Sequence, residues 1–176
     1  MTKNEIDNFL KSAYSKTGYE LMFQKARDEE LIFMLVWEMV LERADNQTWR
    51  LLWILDHATE KNNRFLFPIL DSLYKRLLRT NNESFIREGM KLILRCPINE
   101  EYAGELLERC IGWMSDRKKK MSSQTMGLEF FYRMCLIYPE MGSELLAHID
   151  NISEWTTSPG YIHRLKKIRK QLKKTS

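Results

Sequence analysis

The sequence predicts an all-α fold, a right-handed α-solenoid (α-α superhelix) of about four helix pairs preceded by an N-terminal helical cap. Apolar or small residues recur every 38 residues in three successive helical stretches, and a second series recurs every 37 residues in the helices that precede them. No stretch alternates β-branched with polar residues between turn signals, so no strand is predicted. The period therefore marks a helix pair as the repeating unit.

Each series consists of five sets of positions. The 38-residue series is Leu51/Gly89/Gly127, Leu52/Met90/Leu128, Ile54/Leu92/Phe130, Leu55/Ile93/Phe131 and Ala58/Cys96/Met134. The 37-residue series is Ile32/Ile69/Leu106, Phe33/Leu70/Leu107, Val36/Leu73/Cys110, Trp37/Tyr74/Ile111 and Val40/Leu77/Met114. A helix pair of this size cannot bury its apolar face alone, so we expect successive pairs to stack and share a core.

We expect one repeat domain over residues 1–176. Its predicted parts are a cap at 1–27 and repeats at 28–61, 62–97, 98–139 and 140–176. In the cap, Thr2 and Glu5 form a capping box and Thr17-Gly18 ends the first helix. The apolar stripe of that helix is Ile6, Phe9, Leu10, Ala13 and Tyr14.

Within the repeats, the helix pattern predicts segments with definite bounds. The predicted segments are 28–43 with 47–60, 64–79 with 83–96, 99–113 with 124–138, and 141–152 followed by a basic final helix. The run Leu31 to Trp37 is apolar on every side, so we expect neighbours to cover it on both flanks.

Composition favours a soluble cytoplasmic protein. The chain is 44% hydrophobic, and its three cysteines show no CxxC spacing, which predicts buried, reduced thiols. The polar start of the sequence does not resemble a signal peptide, and no apolar run is long enough for a membrane span. The net charge of +4 is uneven, since all seven basic residues after position 160 lie in a segment without acids and residues 1–160 sum to −3.

The second predicted repeat resembles the HEAT or armadillo-like repeats. Pro68 lies in its first helix, Asn81-Asn82 forms a polar turn, and Ile86-Arg87 opens its second helix with an apolar-Arg pair. One unit earlier, Trp49-Arg50 is an equivalent apolar-Arg pair at the start of a second helix. The third unit has Met126-Gly127 at the equivalent position and has no proline in its first helix. The resemblance extends over residues 28–174 and is one of repeat pattern.

The resemblance implies a non-catalytic scaffold that binds a protein or peptide along the concave surface lined by second helices. The side chains expected to face solvent there are Arg50, Trp53, His57, Arg87, Lys91, Arg95 and Arg133. The arginines and the lysine of this set could bind carboxylates or phosphates of a partner. A charged face that only keeps the protein soluble explains them equally well. Trp53 lies among Arg50 and His57, which suits an exposed anchor, yet a tryptophan at helical spacing is more often part of a core.

A basic surface forms the second candidate site. It comprises Lys118, Lys119, Lys120, Arg164, Lys167 and Lys170. It suits an anionic membrane surface, an acidic protein or nucleic-acid phosphate, and a solenoid's polar terminal cap explains the final helix without any ligand.

The sequence predicts no enzyme, cofactor or metal site, because His57, His148 and His163 have no ligand partners at recognised spacing. An alternative is a DNA-binding module similar to the HEAT-like glycosylases of alkylation repair, which use Trp and Asp side chains on a basic surface. Trp53 and Asp56 supply those residue types, but the Trp-Asp motif of that family is not reproduced. We expect a monomer or weak dimer.

Overall fold

The computed structural model describes residues 1–12 and 16–175, and within these ranges the chain forms α-helices and short 3₁₀ helices but no strand. The prediction of an all-α fold is confirmed. The α-helices are α1 (Lys3–Ser12), α2 (Lys16–Asp28), α3 (Glu30–Glu42), α4 (Trp49–Ala58), α5 (Leu70–Leu77), α6 (Glu83–Ile93), α7 (Glu100–Ser115), α8 (Met121–Ile137), α9 (Gly142–Trp155) and α10 (Pro159–Thr175). The 3₁₀ helices are Asp45–Gln47, Arg64–Ile69 and Pro139–Met141.

The chain divides into two compact units, residues 1–98 and residues 99–176. In the first unit, α1 packs on α3, α2 packs on both α3 and α4, and α4 packs on α6. In the second unit, α7 packs on α8, and α10 packs on α8 and α9. The predicted single domain and its repeat boundaries stay predictions.

Helix ends follow local capping chemistry. In the predicted capping box, the Glu5 N–H donates to Thr2 Oγ1 at 3.3 Å and the Thr2 N–H donates to Glu5 Oε2 at 2.6 Å. The side chain of Asn82 accepts from the Phe85 N–H at 2.9 Å, and that of Asn99 accepts from the Glu101 N–H at 3.0 Å. These side chains satisfy backbone donors that the first turn of a helix leaves unpaired.

Some predicted bounds were wrong. Helix α2 begins at Lys16, so Thr17-Gly18 lies inside it instead of ending α1. Helix α8 begins at Met121, three residues before the predicted start, because Lys120 in an extended conformation is its N-cap. Two residues of the predicted α1 stripe, Ala13 and Tyr14, lie outside the described residues.

The predicted helix over residues 64–79 has two parts. Its first six residues, Arg64–Ile69, form a 3₁₀ helix, and α5 follows from Leu70. Pro68 lies in the 3₁₀ part, where it provides no backbone N–H for an α-helical hydrogen bond.

The prediction that neighbours cover Leu31 to Trp37 on both flanks was wrong at its start. Phe33, Val36 and Trp37 are buried, but the side chain of Leu31 is 84% exposed. Leu31 is the second residue of α3, and its side chain faces away from the core that buries Ile32 and Phe33 in the same turn.

The two periodic series mark the core. Every position of the 38-residue series is buried, and so are those of the 37-residue series except the half-buried Leu70 and Ile111. The period therefore reports burial: each copy supplies the same helix face to the core of its unit.

Gly127 allows α7 and α8 to approach closely. A Cβ atom at this position would lie 2.5 Å from the backbone oxygen of Cys110, which is far inside van der Waals contact. Because the obstructing atom belongs to backbone, it cannot move away as a side-chain tip would. A residue with a side chain would therefore push the two helices apart.

The second unit buries three weak acids in its core. The side chain of Cys110 is fully buried, and burial raises its pKa well above the usual value of a thiol. Burial likewise raises the pKa of Cys135 to about 11 and raises that of Tyr161, whose hydroxyl lies 3.5 Å from the carbonyl oxygens of Met114 and Gln124. All three cysteines of the chain are buried, as predicted, and none of them forms a disulfide.

Gly127→Ala should destabilise the protein by about 1–3 kcal/mol, because the added methyl overpacks the contact between α7 and α8. Gly104→Ala is the matched control, since a Cβ at Gly104 meets nothing within 4 Å. This control should stabilise α7 by roughly 0.5–1 kcal/mol, because glycine is a poor helix former. Urea unfolding measures both, and changes of the same sign would contradict the proposed contact.

The free energy of unfolding should fall as pH rises above about 8.5, the usual pKa of an unfolded thiol. The unfolded chain then releases protons that buried Cys110 and Cys135 retain, so it binds fewer protons than the native state. Each such thiol contributes a slope of up to roughly 1.4 kcal/mol per pH unit. Urea unfolding between pH 8 and 10.5 measures the slope, and Cys135→Ala should flatten it; an unchanged slope would contradict this assignment.

Candidate protein-binding groove and buried ion-pair cluster

The first unit contains a groove of about 1060 Å³ between α2 and α4. We call it the α2–α4 groove. It is lined by Tyr19, Glu20, Leu21, Phe23, Gln24, Arg27 and Asp28, and by Trp53, His57, Glu60 and Lys61. This volume is sufficient for one large side chain or a short peptide segment.

Aromatic rings form one wall of the α2–α4 groove. The Trp53 ring lies 4.9 Å from that of Tyr19 and 5.0 Å from that of Phe23, measured between centroids, and both contacts are edge-to-face. The His57 ring stacks on Phe23 at 4.5 Å and meets Trp53 edge-to-face at 5.0 Å. Edge-to-face and offset geometries are the favourable ones for aromatic rings, so this wall is held in place without help from a ligand.

Helical spacing explains why these rings meet. Tyr19 and Phe23 are four residues apart on α2, and Trp53 and His57 are four residues apart on α4. Residues at this spacing share one face of a helix, and the packing of α2 on α4 brings the two faces together. Trp53 is therefore neither a fully exposed anchor nor a fully buried core residue, because α2 half-buries its ring.

The rim of the α2–α4 groove is polar apart from Leu21, whose side chain is 55% exposed. His57 Nδ1 lies 2.7 Å from Glu60 Oε1, which fixes the orientation of the imidazole. The Nε of Arg27 is buried and makes no hydrogen bond to any described residue. An apolar floor with a polar rim is the usual anatomy of a protein interface.

Two buried carboxylates form a second cluster in the same unit. The side chains of Asp56 on α4 and Glu88 on α6 are 6% and 2% exposed. Lys91 Nζ bridges them, at 3.3 Å from Asp56 Oδ2 and 2.8 Å from Glu88 Oε2. Buried carboxylates require such compensation, so we call these residues together with Arg87 and Arg95 the buried ion-pair cluster.

Arg95 makes the most contacts in the buried ion-pair cluster. Its Nη1 lies 2.6 Å from Asp56 Oδ1 and donates to the Asp56 carbonyl oxygen and to Thr59 Oγ1. Arg87 Nε donates to Glu88 Oε1 at 2.7 Å. Lys91 and Arg95 are thus half-buried and paired inside the fold, which corrects the expectation that they face solvent as free cations.

The structure separates the other predicted binding residues. Arg50 Nη1 donates to the Leu10 carbonyl oxygen at 3.0 Å, so this arginine satisfies the end of α1. Arg133 lies in the second unit and is half-buried. A role of these residues in binding a partner stays a prediction, and Trp53 and His57 are the ones that the structure brings together in a groove.

The predicted basic surface also lies in the second unit. Arg164 makes a bidentate ion pair with Glu129 through Nε and Nη2, so its guanidinium is already engaged. Lys118, Lys120, Lys167 and Lys170 are exposed, and Lys119 is half-exposed. The N–H of Lys118 donates to Asp116 Oδ1 at 2.8 Å, which orders the loop before α8.

A family model described as a HEAT repeat domain matches residues 6–173. The chain belongs to the HEAT repeat family. HEAT repeats typically mediate protein interactions and are generally non-catalytic. Neither the curated proteins nor the solved structures include a significant match to this chain.

The HEAT match covers both compact units, and the predicted family is confirmed. Among residues 1–12 and 16–175, no three histidine, cysteine or acidic side chains converge as metal ligands would. None of the described helices combines the length and the apolar character that crossing a membrane requires.

The α2 side of the groove was not predicted from the sequence. Tyr19 and Phe23 lie in the segment that was interpreted as an N-terminal cap, residues 1–27. Their i, i+4 spacing was the signal in the sequence that could have shown that the two rings share one face of a helix. Only the packing of α2 on α4 shows that this face meets Trp53.

Arg95→Ala should lower the free energy of unfolding by about 2–3 kcal/mol, because it leaves the buried Asp56 carboxylate paired with Lys91 alone. Lys61→Ala is the control, since this exposed lysine forms no ion pair within the described part of the chain. A double-mutant cycle with Asp56→Asn measures the coupling, which should exceed about 1 kcal/mol. Additive effects would show that Asp56 and Arg95 do not depend on each other.

Proposed function

We propose that this HEAT repeat protein is a non-catalytic scaffold whose α2–α4 groove binds a partner protein or peptide through an apolar anchor residue. The observation that supports the proposal is the aromatic wall of the groove, in which Trp53 and His57 on α4 meet Tyr19 and Phe23 on α2. HEAT repeats are a protein-interaction kind of fold, which agrees with this role.

The chemistry of the groove suits an aliphatic or aromatic anchor. Such a side chain would displace water from the rings of Trp53 and Phe23 and gain roughly 25 cal/mol for each Å² of apolar surface buried. Exposed Leu21 would extend that apolar contact along α2. Anchors of this kind, surrounded by a polar rim, supply most of the binding energy in protein interfaces.

The rim would fix the orientation of the partner's backbone. Gln24 offers an amide, Glu20 and Asp28 offer carboxylates, and Arg27 and Lys61 offer cations around the groove. Backbone amides and carbonyls of a bound peptide can pair with such groups. Because both signs of charge are present, the groove suits a peptide with polar residues on either side of its anchor better than a polyanion.

No observation favours the alternative of an alkylation-repair glycosylase. That function needs free cations for phosphates and an available carboxylate near the lesion. Lys91 and Arg95, two of the cations predicted to line this face, are paired with Asp56, and Asp56 itself is buried. For these two cations to bind phosphates, their ion pairs with Asp56 would have to break.

Leu21→Glu should weaken binding of a groove-directed peptide about tenfold or more, because it places a charge beside the apolar anchor. Peptides are first selected from a displayed library on the wild-type protein and their dissociation constants are then measured by fluorescence anisotropy. Leu31→Glu is the matched control, since Leu31 is more exposed than Leu21 and does not line the groove.

The two variants distinguish the groove from a general effect of charge. Leu31→Glu should change affinity less than twofold, and both variants should unfold at the wild-type urea concentration, because each replaces an exposed side chain. Equal weakening by both variants, or no enrichment of any peptide on the wild-type protein, would reject the proposed groove function.

A further inference from the structure

Lysines dominate the outer face of α10, which also carries the exposed side chain of His163. These lysines are Lys166, Lys167, Lys170, Lys173 and Lys174, and we call them the lysine face. All five are exposed, whereas the opposite face of the helix is buried at Tyr161, Leu165, Ile168 and Leu172. The sequence predicts one apolar stripe on this helix, formed by Tyr161, Ile162, Leu165, Ile168 and Leu172. Four of these residues are buried and Ile162 is half-buried, which leaves the lysines pointing away from α8 and α9.

Helical geometry concentrates these charges. At about 100° per residue, the five lysines occupy an arc of roughly 120°, and at 1.5 Å per residue they extend over about 12 Å along the axis. Lys166, Lys170 and Lys173 form one row, and Lys167 and Lys174 form a second row beside it. The two rows diverge by roughly 80° about the helix axis, so their ammonium groups flank a ridge.

Neighbouring acids neutralise the arginines of α10 but not the lysines. Arg164 pairs with Glu129 on α8, and Arg169 pairs with Asp150 on α9. None of the five lysines forms an ion pair with a residue in the described ranges, and the sequence has no acid after position 160. A solubilising terminal face usually mixes both signs of charge, so a face of one sign calls for an anionic partner.

We propose that the lysine face binds the phosphate backbone of duplex DNA without reading its sequence. An α-helix about 10 Å wide fits the major groove of B-DNA, which is about 12 Å wide. The two diverging rows of lysines would then reach the phosphates on both sides of that groove. This inference is independent of the α2–α4 groove, which belongs to the other compact unit.

The composition of the face determines which anion it suits. A lysine ammonium is a point charge on a flexible stem and lacks the rigid planar fork of a guanidinium, so the lysine face favours phosphates over the fixed geometry of base edges. The major groove of duplex RNA is too narrow for a helix. An anionic membrane would need a second anchor besides charge, and the apolar side chains of α10 are buried within the fold.

The full chain is titrated with two 20-bp duplexes of unrelated sequence, and anisotropy is measured at several salt concentrations. We expect equal affinity for both duplexes and a slope of log K against log salt of about −4.5 for five contacts. Lys167→Gln with Lys170→Gln should weaken binding at least tenfold at 0.1 M salt and reduce the slope by about 1.8.

Lys11→Gln with Lys75→Gln is the matched control, because it removes the same charge at exposed lysines of the other unit that do not line the α2–α4 groove. It should leave affinity within twofold of wild type. Equal loss in both double variants, no binding at 100 µM protein in low salt, or binding to phosphatidylserine vesicles but not to duplex DNA would each overturn the proposal. Duplex RNA of the same length should bind more weakly, and equal binding would overturn the groove geometry.

Discussion

Burial of one apolar face per helix is the constraint on which the rest of this structure depends. A helix such as α4 buries Leu51, Leu52, Ile54 and Leu55 together, so residues such as Trp53 and His57 lie at its edges, where they are half-buried. The neighbouring helices that cover these residues then determine which of the edge positions meet. Both candidate binding surfaces arise from this division: the α2–α4 groove forms between the edges of two helices, and the lysine face lies opposite a buried stripe.

Charge pairing imposes a second constraint in the first unit. Asp56 and Glu88 are buried carboxylates, and the cost of removing them from water is offset by Lys91, Arg87 and Arg95. Once these cations are paired inside, they are less available to an external anion. The same reasoning applies to α10 in the second unit, where the arginines are paired and the lysines are not.

The two surfaces therefore differ in the kind of specificity that each can provide. In the α2–α4 groove, rigid rings and a rim of both charges favour one shape and one pattern of hydrogen bonds. The lysine face has flexible point charges of one sign, which attract phosphates without selecting among sequences. A scaffold with both surfaces would combine a selective contact in one unit with a nonselective contact in the other.

The sequence by itself determined the all-α fold, the helix-pair repeat, the family and the core. Which residues are buried depends on the spacing of apolar residues along a helix, and that spacing is a property of the amino-acid sequence. The 38-residue series from Leu51 to Met134, which is buried throughout, is the example. The sequence also determined the amphipathic character of α10. It did not determine the exact ends of the helices. The start of α2 at Lys16 and the 3₁₀ turn before α5 depend on local backbone geometry.

Only the tertiary structure decided which polar residues are free to contact a binding partner and which are already paired within the fold. Arg95 and Lys167 look alike in the sequence, yet one is paired with a buried carboxylate and the other is exposed on an outer face. The partners of Arg95 lie in residues 56–59, more than thirty positions away, and helical periodicity does not report contacts at that distance. The groove has the same origin, because Trp53 meets Tyr19 and Phe23 only through the packing of α2 on α4.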